Sequence, residues 1–228
     1  MSKLADNLTQ VQARITAACQ QYHKTAPLLL AVSKTRSAAE IRALYALGIR
    51  HFGENYLQEA LDKQQELTDL AIVWHFIGPI QSNKTRAIAE NFDWIHSVDR
   101  EKVATRLSVA VPSGKSLNVC VQVNIDHSPT KSGLLPEQLT PFLAECLALP
   151  QLSIRGLMAI PDPGEGNAQG QAFQALAKCL QQAQQSFPGA PLDTLSMGMS
   201  GDLELAIAAG STIVRVGTDI FGARANKT

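Results

Sequence analysis

The chain has 228 residues, 45% of them hydrophobic, and its 20 Lys and Arg balance its 20 Asp and Glu. That length suits one large domain or two small ones, and that apolar fraction fills a sizeable core. Zero net charge removes the broad electrostatic case for a nucleic acid or an anionic membrane as partner, and no apolar run reaches the ~20 residues that cross a bilayer.

Residues 4–22 read as an amphipathic helix, with Leu4, Leu8, Val11, Ile15 and Ala18 on one face. The segment from Met1 to Tyr22 is polar, with no apolar centre, so it is not a secretory signal. Strand patterns follow near 28–33, 49–54, 72–77, 94–98, 117–124, 154–160, 194–198 and 213–217. Helical patterns separate them near 38–47, 56–69, 82–91, 100–110, 136–148, 167–186 and 201–210, and a short last helix follows 218. Ser37 with Glu40 forms a capping-box signal, and Pro136-Glu137 suits the first turn of another helix.

Eight strands, each followed by a helix, predict an α/β fold of the (β/α)8 TIM-barrel type with an additional N-terminal helix. The strands are rich in Val, Ile and Leu, as parallel strands buried on both faces require. An open doubly wound sheet is the competing architecture, but no GxGxxG fingerprint follows the first strand. No composition shift divides the chain, so residues 1–228 read as one domain. Pro161 to Asn167 is expected as a mobile loop at the mouth of the barrel.

The four cysteines form no CxxC pair and read as buried thiols in a reducing, cytoplasmic protein. The five histidines lack metal-ligand spacing, so no metal site is expected. His75 and His96, in strand patterns, read as satisfied core histidines.

Ligands of such barrels sit at the carboxyl ends of the strands. The first strand, Leu28-Leu29-Leu30-Ala31-Val32-Ser33, ends in Lys34. A lysine there either snorkels to water or, with a lowered pKa, attacks a carbonyl to form a Schiff base. Met199-Ser200-Gly201-Asp202 and Gly217-Thr218-Asp219 each lead from a strand into a helix. Such turns cap the helix or cradle an anion, because both uses draw on the same N–H and hydroxyl groups. Arg215 lies in the otherwise apolar Ile213-Val214-Arg215-Val216-Gly217, and alternation puts it on the same side as Gly217. It needs a partner there, either an ion pair such as Glu54 or an acceptor on a ligand.

A lysine amine, an anion cradle and an arginine together suit pyridoxal 5′-phosphate (PLP). A permanently protonated arginine beside the ring nitrogen cannot readily protonate it, so the electron sink would be weak. That favours holding the cofactor over transamination.

In these segments the chain resembles the pyridoxal phosphate homeostasis protein family, single-domain relatives of fold-type III PLP enzymes such as alanine racemase. The resemblance rests on Ala31-Val32-Ser33-Lys34-Thr35, His51-Phe52-Gly53-Glu54-Asn55-Tyr56, the run from Trp74 to Lys84, Gly156-Leu157-Met158, Ser196 to Asp202, and Val214 to Thr218 with Ile220-Phe221-Gly222. These segments run in order over nearly the whole chain. The resemblance implies a barrel with PLP on Lys34, and contacts from Asn55, Met158, Ser200, Gly201, Arg215, Gly217 and Thr218. It implies a carrier or regulator in vitamin B6 balance, with PLP-dependent apo-enzymes as recipients and no catalytic residue assigned. Gly201 stands where an acidic or polar residue often precedes the Asp.

Two enzymatic alternatives remain open on the sequence. A fold-type III racemase needs a second base, and in the racemases this chain resembles that base is a tyrosine from an extra C-terminal domain of a partner subunit. Here Tyr56 alone lies near a strand end, and it reads as a helix start. The oligomeric state stays open on the sequence, and the resemblance, without the racemases' dimerising domain, favours a monomer. A Schiff-base aldolase needs further carboxylates, and the strand ends offer only Glu54. Lys131 reads as a solvated residue at the mouth.

Overall fold

Eight short parallel strands pair in sequence order and close through the last and the first. They are β1 (Leu28–Val32), β2 (His51–Glu54), β3 (Val73–Phe76), β4 (Trp94–Val98), β5 (Leu117–Gln122), β6 (Leu152–Met158), β7 (Thr194–Ser196) and β8 (Ile213–Val216). The computed structural model describes residues 3–163 and 167–223, so residues 164–166 of the anticipated mouth loop lie outside it. The helices are α1 (Lys3–Tyr22), α2 (Ala38–Ala46), α3 (Leu57–Glu66), α4 (Thr85–Asn91), α5 (Glu101–Ala110), α6 (Leu139–Leu147), α7 (Ala168–Ser186), α8 (Leu203–Ala208) and α9 (Thr218–Phe221). A 3-10 turn at Pro136–Gln138 leads into α6. This is the expected (β/α)8 barrel with its additional N-terminal helix.

Local chemistry sets these elements. Ser37 accepts the Glu40 N–H while the Glu40 carboxylate accepts the Ser37 N–H, so two orphan donors of the first turn of α2 are satisfied. In α1, Leu8, Val11, Ile15 and Ala18 are buried, and the helix packs against α8 and α9. Burying each of the three larger side chains contributes roughly 1.5–3 kcal/mol. Closure of the barrel follows from β1 pairing with β8, Leu28 opposite Ile213 and Leu30 opposite Arg215.

The expected strand at 154–160 begins two residues earlier. Leu152 is in register with Leu117 of β5, and pairing extends back to it. Gly156 then lies so close to β7 that a Cβ would stand 1.9 Å from the Thr194 carbonyl oxygen. Glycine is required here for strand-to-strand approach. Among the described residues, no helix is long and apolar enough to cross a membrane, and no cluster of His, Cys, Asp and Glu could hold a metal ion.

Candidate functional site

A cavity of about 310 Å³ opens at the carboxyl ends of the strands. It is of the size that admits a small ligand. Lys34, Asn55, Ser200, Gly201, Arg215, Gly217 and Thr218 all line it, so these residues from the ends of four strands converge as anticipated. Met158 does not. It is 1% exposed in β6, and Ile160 reaches the cavity instead. Val32, Arg36, Ile77 and Met199 complete the wall.

The backbone around Lys34 is tied on both sides. Ser33 donates its N–H to the Gly53 carbonyl, extending the β1–β2 ladder one residue. Its hydroxyl donates to Glu54 Oε1 at 2.6 Å, and its carbonyl accepts from Lys63 Nζ at 2.8 Å. Thr35, in the left-handed region at φ 62°, donates its N–H to Glu59. Lys63, from α3, also contacts Glu54 at 2.8 Å and Glu59 at 2.6 Å. A buried helical lysine thus braces the strand end that carries Lys34.

That arrangement corrects the reading of Glu54. It is fully buried, and it pairs with Lys63 rather than Arg215. Burial raises its pKa, against the pull of Lys63 and Ser33. It is also absent from the cavity wall, so it is not an acid/base for chemistry there. Tyr56 starts α3, as anticipated, and is 53% exposed.

The turns after β7 and β8 form the opposite side of the cavity. Among the described residues, the backbone N–H groups of Ser200, Gly201 and Thr218 have no intramolecular acceptor. These donors and two hydroxyls are suited to an anion. A Cβ at Gly201 would meet nothing within 4 Å, so the protein's own packing does not demand glycine there; its absence leaves room in the cavity. The capping alternative holds only in part. Asp202 accepts from the Met199 N–H at 2.5 Å and shapes the turn, without capping α8. Ser200 Oγ accepts weakly from the Asp219 N–H at 3.4 Å, linking the two turns.

Arg14, on α1, holds both turns from behind. Its guanidinium donates to Glu204 at 2.7 and 2.9 Å, to Asp219 at 2.5 Å and to the Ser200 carbonyl at 3.0 Å. Nothing in the local sequence marks Arg14, because its partners lie 186 to 205 residues away.

Arg215 is 4% exposed. It donates to the Ser196 carbonyl at 2.6 Å, to Ser196 Oγ at 2.8 Å and to the Ala159 carbonyl at 3.0 Å. Burial lowers its pKa to about 10, with Asp202 opposing, and the group stays cationic at neutral pH. His96 Nδ1 lies 2.7 Å from Ser196 Oγ, His75 Nδ1 lies 2.9 Å from His96 Nε2, and His51 Nδ1 lies 2.9 Å from His75 Nε2. His75 and His96 are thus the bonded core histidines that strand position predicts.

Asn55 brings an acceptor to the wall, since its buried Oδ1 has no partner among the described residues. Its backbone is fixed by Gly78, where a Cβ would strike the Asn55 carbonyl oxygen at 2.1 Å. Lys131, expected to be solvated, is instead engaged by Asp162 at 2.8 Å, Asp126 at 3.1 Å and the Ile160 carbonyl at 2.6 Å.

The chain is similar to known proteins over nearly its whole length. The family described as "Alanine racemase, N-terminal domain" matches residues 3–225. A protein of Pseudomonas aeruginosa named "Pyridoxal phosphate homeostasis protein" is 56% identical, over 98% of this chain and 97% of its own. The protein of that name from Escherichia coli K12 is 46% identical over 98% of both chains. Among solved structures, PipY of Synechococcus elongatus PCC7942 with PLP bound is 42% identical, covers 96% of this chain and all of its own, and superposes with a TM-score of 0.86. An alanine racemase from Corynebacterium glutamicum shares the fold at 16% identity and a TM-score of 0.70, with 61% of that chain covered.

Proposed function

The chain belongs to the pyridoxal phosphate homeostasis protein family, and from that premise we propose that it binds PLP in the cavity at the top of the barrel, bonded covalently to Lys34. The observation that carries this reading is the convergence of an amine, a set of uncommitted N–H donors and a buried guanidinium on one cavity.

The residues fit the cofactor. The N–H groups of Ser200, Gly201 and Thr218, with the Ser200 and Thr218 hydroxyls, would take the phosphate. Gly217 packs against Val32, whose carbonyl oxygen a Cβ at 217 would meet at 3.2 Å, so the turn lies close to β1 and Lys34. Arg215 would meet the ring nitrogen, and Asn55 and the apolar Ile77 and Ile160 would flank the ring. When bound, PLP supplies an electrophilic aldehyde carbon and a conjugated ring. Arg215 keeps its protons, so this chain gives that ring little help as an electron sink.

The role is therefore that of a carrier, which holds the reactive aldehyde and passes the cofactor to PLP-dependent apo-enzymes. Racemisation needs an acid/base on each face of the bound plane. Lys34 serves one face, and among the described residues no tyrosine, histidine or cysteine lines the cavity to serve the other. The pairing of Glu54 with Lys63, away from the cavity wall, gives the aldolase alternative no support.

The test is direct. Protein mixed with PLP should acquire the visible absorbance of a lysine adduct. Borohydride should fix the label, and peptide mapping should place it on Lys34. Lys34→Ala should remain folded and lose the label. A protein that stays colourless with PLP, or a label on another lysine, would overturn the assignment.

A further inference from the structure

The interior of such a barrel is ordinarily filled by branched apolar side chains. Here a file of polar groups runs through it from half-buried His51, through His75 and His96, to Ser196 and Arg215. The file crosses from β4 to β7, strands that do not pair with each other. Its members come from β2, β3, β4, β7 and β8, so five of the eight strands contribute.

The direction of each hydrogen bond follows from one end. A guanidinium can only donate, so Ser196 Oγ accepts from Arg215. Among the described residues, the only other partner of that hydroxyl is His96 Nδ1, so its proton goes there. His96 Nδ1 is then bare, and a neutral ring carries its proton on Nε2. That proton points to His75 Nδ1, and by the same logic His75 Nε2–H points to His51 Nδ1. Burial holds the His96 pKa down to about 3, reinforced by the positive Arg215. Burial likewise keeps His75 well below its ordinary value and lowers His51. All three rings are therefore neutral at pH 7.

We propose that Ser196, His96, His75 and His51 are positioning residues for Arg215, a file of neutral, one-directional hydrogen bonds whose electronegative ends all face the guanidinium. Each ring presents its bare Nδ1 toward the arginine and its N–H away from it. The aligned ring dipoles act on a buried cation as the carboxyl end of a helix does. Among the described residues no carboxylate pairs with Arg215. An unpaired buried charge is costly; the file and two carbonyls bond the guanidinium directly, and Asp202 adds an attraction from beyond ion-pair distance. A carboxylate there would draw the guanidinium toward itself. The file leaves the cation oriented, with three of its five N–H hydrogens committed and the rest available to a ligand in the cavity. This role toward the ligand rests on the PLP reading, whereas the direction of the file does not.

The experiment reads both separately. Protein labelled with 15N-histidine, without added PLP, should show His51, His75 and His96 neutral at pH 7 with the proton on Nε2 in long-range 1H–15N spectra. A proton on Nδ1 of His96 or His75, or a charged ring, would overturn the file. Ser196→Ala should break the single tautomer at His96, weaken PLP about tenfold and shift the visible band of the bound cofactor. His96→Gln, which accepts at one atom and donates at the next, should retain affinity and band better than His96→Leu. Equal behaviour of the Gln and Leu variants, or an unchanged Ser196→Ala, would also overturn the proposal. Ser196→Ala removes one oxygen atom, so it carries the test if His96→Leu fails to fold. If the wild type takes up no PLP, the cofactor reading falls while the tautomers still decide the file.

Discussion

Replacing Lys63 with methionine should destabilise the protein in a way that acid relieves. Lys63 has a side chain only 7% exposed, opposite a Glu54 carboxylate at 0%. It makes bonds of 2.8, 2.8 and 2.6 Å to the Ser33 carbonyl, Glu54 and Glu59. Removing one partner of a buried pair costs about 3–5 kcal/mol, because the other charge is left uncompensated. Domains are stable by roughly 5–15 kcal/mol, so the variant should fold with a large deficit. The pH dependence supplies the sharper signature. Burial already raises the folded-state pKa of Glu54, and Lys63 is the first influence opposing that rise. Without Lys63 the pKa climbs further. A group whose folded pKa is raised favours folding at low pH and loses that contribution as pH rises through the folded pKa. The deficit should therefore be largest above neutrality and shrink as pH falls toward the ordinary value of 4.5. Urea unfolding of wild type and Lys63→Met across a pH series from about 8 to 5 measures it. Adding Glu54→Gln to the variant should flatten the pH dependence. A deficit under about 1 kcal/mol at neutral pH, or one that does not change with pH, would refute the reasoning.

Other outcomes follow from the site. Thr218→Ala should weaken PLP by about 1–2 kcal/mol if its hydroxyl meets the phosphate, read by equilibrium dialysis; equal affinity would leave the phosphate to the backbone alone. Arg14→Ala should lower PLP affinity without touching the ligand, because both anion turns lose their common brace; an unchanged dissociation constant would show that the turns hold their own shape. Cys120 and Cys146, whose thiols burial pushes up to about 12, should resist alkylation at mildly alkaline pH, while partly exposed Cys19 reacts first. Mass spectrometry of briefly alkylated native protein decides this, and early label on Cys120 would contradict its burial.

The barrel was legible because its two periodicities are clean. Apolar runs such as Leu28–Val32 alternate with amphipathic segments such as Lys3–Tyr22, and each strand end is marked by a polar or glycine-rich turn. The cavity wall was legible for the same reason, since position at a strand end is a local property. What sequence could not supply was partnership across space. Lys63 reads as one more solvated helical lysine until α3 is packed on β2. His96 and Ser196 stand 100 residues apart and meet only inside the closed barrel. The strand-end position of Glu54 suggested Arg215 as its partner, whereas in the folded protein it pairs with Lys63 of α3. Met158, named from the resemblance, lies buried in β6, and Ile160 lines the cavity two residues further on.

The brace from Arg14 to Ser200, Glu204 and Asp219, together with the Asn7 contact to the Ile220 carbonyl, has a consequence for biosynthesis. The contacts that shape the anion turns span 186 to 213 residues of chain, near the maximum this length permits. A growing polypeptide can pair β1 with β2 early, yet α1 lacks its main partners, α8 and α9, until the segments after β7 and β8 leave the ribosome. High contact order of this kind slows folding and exposes unclosed strand edges meanwhile. Translation should therefore produce a binding-competent pocket in one late step, and a ribosome stalled before β8 should carry Lys34 on a chain that cannot yet grip a phosphate.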